Sequence, residues 1–282
     1  MIPSPFEYTA PASVQEAVSA LQEGGEDAKI LAGGHSLVPL MRLRLAAPTL
    51  LVDLRKVPAL SGVQRENGHW RIGTMTRHAE VQDREDLGAY AAVAHGIADQ
   101  QVRNRGTVGG SMAHGDPASD WPTALLAAEG SVTAVGPGGP REIPAAELFL
   151  DYLATSVASD EVVTEVRLPA LDGWGWGYEK FTRRAEDWAM VGVLALVQKA
   201  GDGTVGDVRI ALTNMGSTPL RASAAEAALR GRPLDATSIS EAAAHAAEGT
   251  SPPADRNASA DYKRHLAQAL TKRALTTAAG GS

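Results

Sequence analysis

The chain contains no cysteine, and this absence removes several chemistries at once. It can build no disulfide, no thiolate nucleophile and no Cys-ligated iron–sulfur cluster. Aromatic residues are sparse, at 5% of 282 positions. Long hydrophobic runs are missing as well: the longest, Ala189 to Val197, includes Gly192 and is too short to span a bilayer. Nor is there a basic bank. Lys and Arg number 26 against 33 Asp and Glu, a net charge of −7, and the cations are scattered, which argues against nucleic-acid binding. The opening Met1-Ile2-Pro3-Ser4-Pro5 shows no charged segment followed by an apolar one, so export by a signal peptide is not expected. These absences together predict a soluble cytoplasmic protein.

What is present is enough to fold. An apolar fraction of 44% supports proper cores, and the length suits two domains of ordinary size or one large one. Ser13-Val14-Gln15-Glu16 reads as a capping box opening a helix to about Glu23, which Gly24-Gly25 stops. Lys29 to Ala32 is a short strand running into Gly33-Gly34, Ser36 is placed to cap a helical turn over Leu37 to Leu45, and Leu50 to Asp53 is a second strand. Trp70 to Gly73 alternates like a strand, while Arg77 to Asp86 and Leu87 to Gln100 read as helices. Such alternation implies an α/β layer architecture. After about Asp172 the pattern changes to three strands (Tyr178–Thr182, Met190–Gln198, Val205–Thr213) and then three helices (Ala222–Arg230, Ser238–Glu248, Asp261–Thr277). That order predicts a separate α+β domain, with residues 1–176 in the first domain and 177–282 in the second. Gly280-Gly281-Ser282 reads as a flexible tail.

Two glycine-rich stretches are the candidate sites. Ala32-Gly33-Gly34-His35-Ser36 lies between a strand and a helical turn, where paired glycines let the backbone approach a ligand and line up successive amides toward a phosphate. A plain strand-to-helix turn with a capping serine explains the same residues. The second stretch, Arg103 to Pro122, carries Gly106, Gly109, Gly110 and Gly115 among few apolar anchors. Such a loop is costly to order unless something binds it. Its Thr107 and Ser111 hydroxyls suit phosphate or ribityl oxygens, and Asp120 suits sugar or ribityl hydroxyls. The alternative is a turn-rich connection in which Ser119 or Asp120 caps a helix over Pro122–Glu129. Two such bends in one α/β domain favour a dinucleotide, with main-chain amides from both converging on one diphosphate.

Other chemistries find no support. Neither bend is G-x-G-x-x-G or G-x-x-x-x-G-K-[ST], and Gly173, Gly175 and Gly177 alternate with tryptophan with no helix following. His35 and His114 have no partners at metal-ligand spacing, and no serine sits in a nucleophile elbow. In Tyr178 to Ala189, Trp188 serves either as core or as an aromatic face against a flat ring, with Lys180 holding positive charge beside that ring.

From end to end the chain resembles the FAD-binding medium subunits of aerobic carbon monoxide dehydrogenases and, more broadly, the flavoprotein subunits of the xanthine dehydrogenase family. The resemblance rests on Pro3-Ser4-Pro5-Phe6-Glu7-Tyr8, Ala32-Gly33-Gly34-His35-Ser36, Leu51-Val52-Asp53-Leu54-Arg55, Gly106-Thr107-Val108-Gly109-Gly110 and Gly115-Asp116-Pro117. Val166-Arg167-Leu168-Pro169, Tyr178-Glu179-Lys180 and Leu212-Thr213-Asn214 add to it. It implies an FAD-binding fold of the vanillyl-alcohol oxidase type, two α/β subdomains, followed by an α+β domain of the CO dehydrogenase flavoprotein type. By the same resemblance FAD would be held by Ala32, Gly33, Gly34, His35, Ser36 and Leu37, by Thr107, Val108, Gly109, Gly110 and Ser111, and by Asp120, Val163, Lys180 and Trp188. Two positions depart from the family pattern: Ser111 stands where Asn is expected and Trp188 where Tyr is expected. Both substitutes keep the hydrogen-bonding or stacking ability.

The family also implies partners. Its electrons come from [2Fe–2S] clusters, which a chain without cysteine cannot hold. The resemblance therefore implies a small [2Fe–2S] subunit and a large molybdopterin subunit, assembled as a dimer of heterotrimers. Electrons would leave for a quinone or another acceptor, in the cytoplasm or at the inner face of the membrane through peripheral association of the complex. Carbon monoxide is the leading substrate, with nicotine, caffeine, quinoline or another N-heterocycle as the alternative. A free-standing flavin oxidoreductase and an FAD-carrying assembly scaffold are the remaining rivals.

Overall fold

The computed structural model describes residues 2–280; Gly281 and Ser282 of the expected tail lie outside the described residues, and Gly280 ends a helix. The first unit begins with strand β1 (Glu7–Thr9) and helix α1 (Val14–Gly24). The Ser13 hydroxyl accepts from the Glu16 amide at 3.1 Å, and the Glu16 carboxylate accepts from the Ala12 amide at 2.8 Å. Strand β2 (Ala28–Leu31), helix α2 (Leu37–Arg42) and strand β3 (Leu50–Asp53) follow. The strands form a parallel sheet in the order β1-β3-β2, and Ala17, Val18 and Leu21 of α1 pack on Ala28 and Val52. The predicted cap on α2 is absent: Ser36 has helical backbone angles and its side chain makes no capping bond.

The middle unit is a five-stranded antiparallel sheet whose strands lie side by side in the order 63–66, 69–73, 162–169, 131–136 and 139–144, with helices against it. After β4 (Val63–Glu66) and β5 (His69–Gly73), the two helices expected over 77–100 are broken into α3 (His78–Gln82), a single 3-10 turn and α4 (Ala89–His95). Glycines mark the two ends of α4, while α3 already stops at Gln82. Gly88 takes φ +51°, and Gly96 ends α4 where a Cβ would lie 2.8 Å from the Tyr178 ring. Helix α5 (Gln100–Arg103) leads to α6 (Val108–His114) and α7 (Asp120–Ala128). The glycine stretch expected as a loop is thus largely helical, anchored by the buried Val108 and Met112.

Strands β6 (Ser131–Gly136) and β7 (Gly139–Pro144) come next, then α8 (Ala145–Leu148) and the small hairpin β8 (Phe149–Asp151) and β9 (Ala154–Thr155); β10 (Val162–Pro169) completes the sheet.

The last unit is a four-stranded antiparallel sheet of β11 (Trp174–Phe181), β12 (Val191–Lys199), β13 (Val205–Thr213) and β14 (Leu220–Arg221), in that order. Helices α9 (Ser223–Leu229), α10 (Ala236–Ala244) and α11 (Ala260–Gly280) pack on one of its faces. The alternation in β11 now has a cause. A Cβ on Gly175 or Gly177 would collide with the carbonyl oxygen of Ala278 or Ala274 on α11. Trp174, Trp176 and Tyr178 on the opposite face pack into the core of the middle unit. Strand β12 is apolar from Val191 to Val197 for a related reason. Leu194 and Leu196 face the middle unit while Val193, Ala195 and Val197 face the helices, so both its faces are buried. No helix among the described residues is long and apolar enough to cross a membrane.

Candidate functional site

The two glycine stretches meet. A Cβ on Gly33 would collide with the Arg105 carbonyl oxygen and lie 2.8 Å from Gly106 Cα, so only glycine lets the first bend rest on the second. The second bend is itself laced to the segment after β5. The Val108 amide donates to Thr76 O and the Gly109 amide to Thr74 O, both at 3.0 Å, and the His78 amide donates to Gly106 O at 3.0 Å. A Cβ on Gly109 would collide with the Thr74 side chain.

A cleft of about 480 Å³ opens where these bends meet, within the size range of small-molecule sites. Of the residues singled out by sequence, Ala32, Gly33, Gly34, His35, Ser36, Leu37, Thr107, Gly110, Ser111, Asp120, Lys180 and Trp188 border it. Val108 and Gly109 are buried behind its wall, and Val163 lies in the core on β10, beside Ala134. His78, Ile97, Ala98 and Val157 also border the cleft without having been singled out. The loop bearing Val157 is brought in by a hairpin far along the chain, which no local pattern announces.

The bends offer different donors. The amides of Gly33, Gly34, His35 and Ser36 donate to no acceptor among the described residues, and Gly34 takes φ +77° within this run. Four successive amides along a cleft wall are a cradle for an anion. The second bend offers fewer free amides than the first: of Thr107 to Ser111, only the Thr107 amide donates to no acceptor among the described residues. Its Val108 and Gly109 amides are engaged as above, the Gly110 amide donates to Thr107 Oγ1 at 3.2 Å, and the Ser111 amide donates to Thr107 O. This bend offers the cleft hydroxyl groups from Thr107 and Ser111 and close approach at Gly110. Both kinds of donor suit a dinucleotide, and the glycine contact keeps the wall low enough to admit one.

At the other end of the cleft the last unit contributes side chains from β11. The Asp120 carboxylate accepts from Tyr178 OH at 2.6 Å and from Lys180 Nζ at 2.8 Å, and Lys180 Nζ also donates to Gly96 O at 3.0 Å. Asp120 therefore neither caps α7 nor stands open, and Lys180 is not a lone positive charge. The Lys180 and Asp120 side chains are 9% and 4% exposed. Burial, reinforced by the Asp120 charge, raises the Tyr178 phenol well above its ordinary value, so it stays protonated and donates. Trp188 is 55% exposed and borders the cleft, which excludes its reading as a core residue.

Comparison with known proteins places this geometry. The family described as FAD binding domain in molybdopterin dehydrogenase matches residues 4–171, and the CO dehydrogenase flavoprotein C-terminal domain matches residues 176–278. The chain belongs to this family of FAD-binding oxidoreductase subunits, an α/β flavin domain followed by an α+β domain. Among its relatives is the carbon monoxide dehydrogenase medium chain of Hydrogenophaga pseudoflava, 44% identical over 99% of this chain and 98% of that one. The nicotine 6-hydroxylase medium subunit of Paenarthrobacter nicotinovorans is 38% identical over 96% of each. A solved structure of carbon monoxide dehydrogenase from Hydrogenophaga pseudoflava superposes with a TM-score of 0.95 at 45% identity, covering 99% of this chain and 98% of that one.

Proposed function

We propose that this chain is the electron-transfer subunit of a molybdenum hydroxylase complex, with carbon monoxide as the substrate of the whole. It would take electrons from the [2Fe–2S] clusters of a small partner subunit, fed by a large molybdopterin subunit, and deliver them to a quinone or other acceptor. The observation that carries the reading is the run of four unengaged amides, Gly33 to Ser36, on the wall of a cleft that both glycine bends enclose. Bound FAD supplies the redox chemistry, accepting electrons and passing them on.

The chain's own residues do the positioning. The Ala32–Leu37 run receives the diphosphate, and the Thr107 and Ser111 hydroxyls donate from the opposite side. Gly110 permits close approach, while Val108, Gly109 and Val163 support the wall from behind. Asp120 and Lys180 hold the last unit over the cleft as a nearly neutral pair, and Trp188 offers a ring face. In this reading the domains divide near residue 176 and the complex is a cytoplasmic dimer of heterotrimers. An N-heterocycle is the second reading of the substrate, because a nicotine 6-hydroxylase subunit matches this chain over nearly its whole length.

The test is co-expression with the neighbouring large- and small-subunit genes. One FAD per chain is expected to copurify, and carbon monoxide is expected to bleach flavin absorbance in the full complex and not in this chain alone. A chain that stays colourless and takes up no FAD under native conditions sinks the flavin reading. Flavin that stays oxidised while substrate reduces the clusters sinks the electron-transfer role. Bleaching by nicotine and not by carbon monoxide moves the substrate to the second reading.

A further inference from the structure

One polar group on the cleft wall has no partner in the account above. His78, the first residue of α3, is 3% exposed and borders the cleft. The buried Trp121 indole donates from Nε1 to His78 Nδ1 at 3.1 Å. An indole nitrogen can only donate, so Nδ1 is the acceptor and the ring's single proton lies on Nε2. Burial above all, with His35 and Arg103 nearby, lowers this imidazole to about 3, which keeps it neutral at physiological pH. The Nε2–H donates to no acceptor among the described residues. Its place is specific: a Cβ on Gly106 would lie 2.8 Å from both Cδ2 and Nε2, and one on Gly33 would lie 2.8 Å from Gly106 Cα. The imidazole edge, Gly106 and the unengaged amide run are therefore contiguous.

We propose that His78 is a further cofactor-binding residue, donating from Nε2 to a diphosphate oxygen of FAD beside the Gly33–Ser36 amides. This rests on the flavin reading and names a residue that reading does not use. The Trp121 indole acts as a positioning group: by occupying Nδ1 it fixes the tautomer and aims the N–H at the cleft. The Nε2–H is not sealed in the core but stands on the cleft wall, where a ligand oxygen can reach it and supply the acceptor that the protein does not.

The test uses the apoprotein of the full chain, titrated with FAD and, as a probe carrying the diphosphate without the flavin, with ADP. His78→Phe removes both nitrogens; His78→Gln keeps an oxygen for the indole and an amide N–H for the ligand. The Phe variant is expected to weaken FAD and ADP alike by about tenfold or more, with most of the affinity restored in the Gln variant. In the ¹⁵N-labelled parent, the Nε2 proton should move downfield when ADP is added. Both variants binding each probe within about twofold of the parent, a bound that counts as no lost hydrogen bond, would overturn the proposal. If the Phe variant does not fold, the Nε2 resonance decides, and an unshifted one is fatal. A parent that binds neither probe overturns the flavin reading as well, a result distinct from a parent that binds and variants that match it.

Discussion

His78 and Asp53 show how single side chains couple this fold to pH. The folded chain keeps His78 neutral down to about pH 3, whereas an unfolded imidazole takes its proton near 6.5. Between those values the unfolded state binds the extra proton, so stability falls as pH drops, by at most about 1.4 kcal/mol per pH unit for this group. His78→Gln removes that share of the slope. Urea unfolding across the window should show the parent losing stability faster than the variant on acidification, and equal slopes would contradict the assignment. The half-buried His114 ring is also lowered, by desolvation, and acts in the same direction in both proteins. Asp53 titrates at more acid pH. Burial alone would raise its carboxyl, but hydrogen bonds from Arg55 and Tyr8 hold it below its ordinary value, so its contribution is present above about 3.8 and is lost at lower pH.

At the scale of elements, the contact between the two bends carries the site. Gly33 is the point at which the β2–α2 turn rests on the chain entering α6, and the clash that any Cβ meets there is with backbone, which cannot swing aside. Gly33→Ala should therefore part the bends and weaken FAD by about tenfold or more, an effect expected when close packing shifts a preorganised cradle. Flavin fluorescence during titration reads this directly, and thermal unfolding checks that the fold survives. Retention of parental affinity would mean that the bends tolerate separation and that the cradle is not shared. The same kind of approach governs β11, where Gly175 and Gly177 admit α11 and leave the tryptophans to face the middle unit.

At the scale of the molecule, polar contacts stitch the last unit to the middle one. Lys180 and Tyr178 engage Asp120, Thr123 Oγ1 and Thr213 Oγ1 lie 2.7 Å apart, and the Asn214 amide donates to Pro117 O at 2.8 Å. The Asn214 side chain also donates to Ala189 O at 2.9 Å. The Leu212-Thr213-Asn214 motif is thus part of the seam between units. Lys180→Met leaves a buried carboxylate held only by Tyr178 and should cost about 3 kcal/mol, while adding Asp120→Asn should recover much of that loss. A double-mutant cycle in urea unfolding measures it, and a loss below about 1 kcal/mol, the range of exposed pairs, would show the pair to be effectively solvated.

Much of this was legible in the sequence, and for local reasons. The cap at Ser13, the strands at 50–53 and 205–213, the closing helices and the border residues of the cleft follow from periodicity, turn chemistry and family motifs. The strands at 131–136 and 139–144 were not legible; β7 buries little beyond Ile143, so it shows no apolar alternation. The neutral tautomer of His78, the pairing of Lys180 with Asp120 and the engagement of the Val108 and Gly109 amides by the segment after β5 belong to tertiary structure alone. Each depends on groups from different elements brought within bonding distance. A sequence specifies donors, acceptors and where the chain can turn; which donor finds an acceptor, and which is left facing the cleft for a ligand, is decided only when the units close on one another.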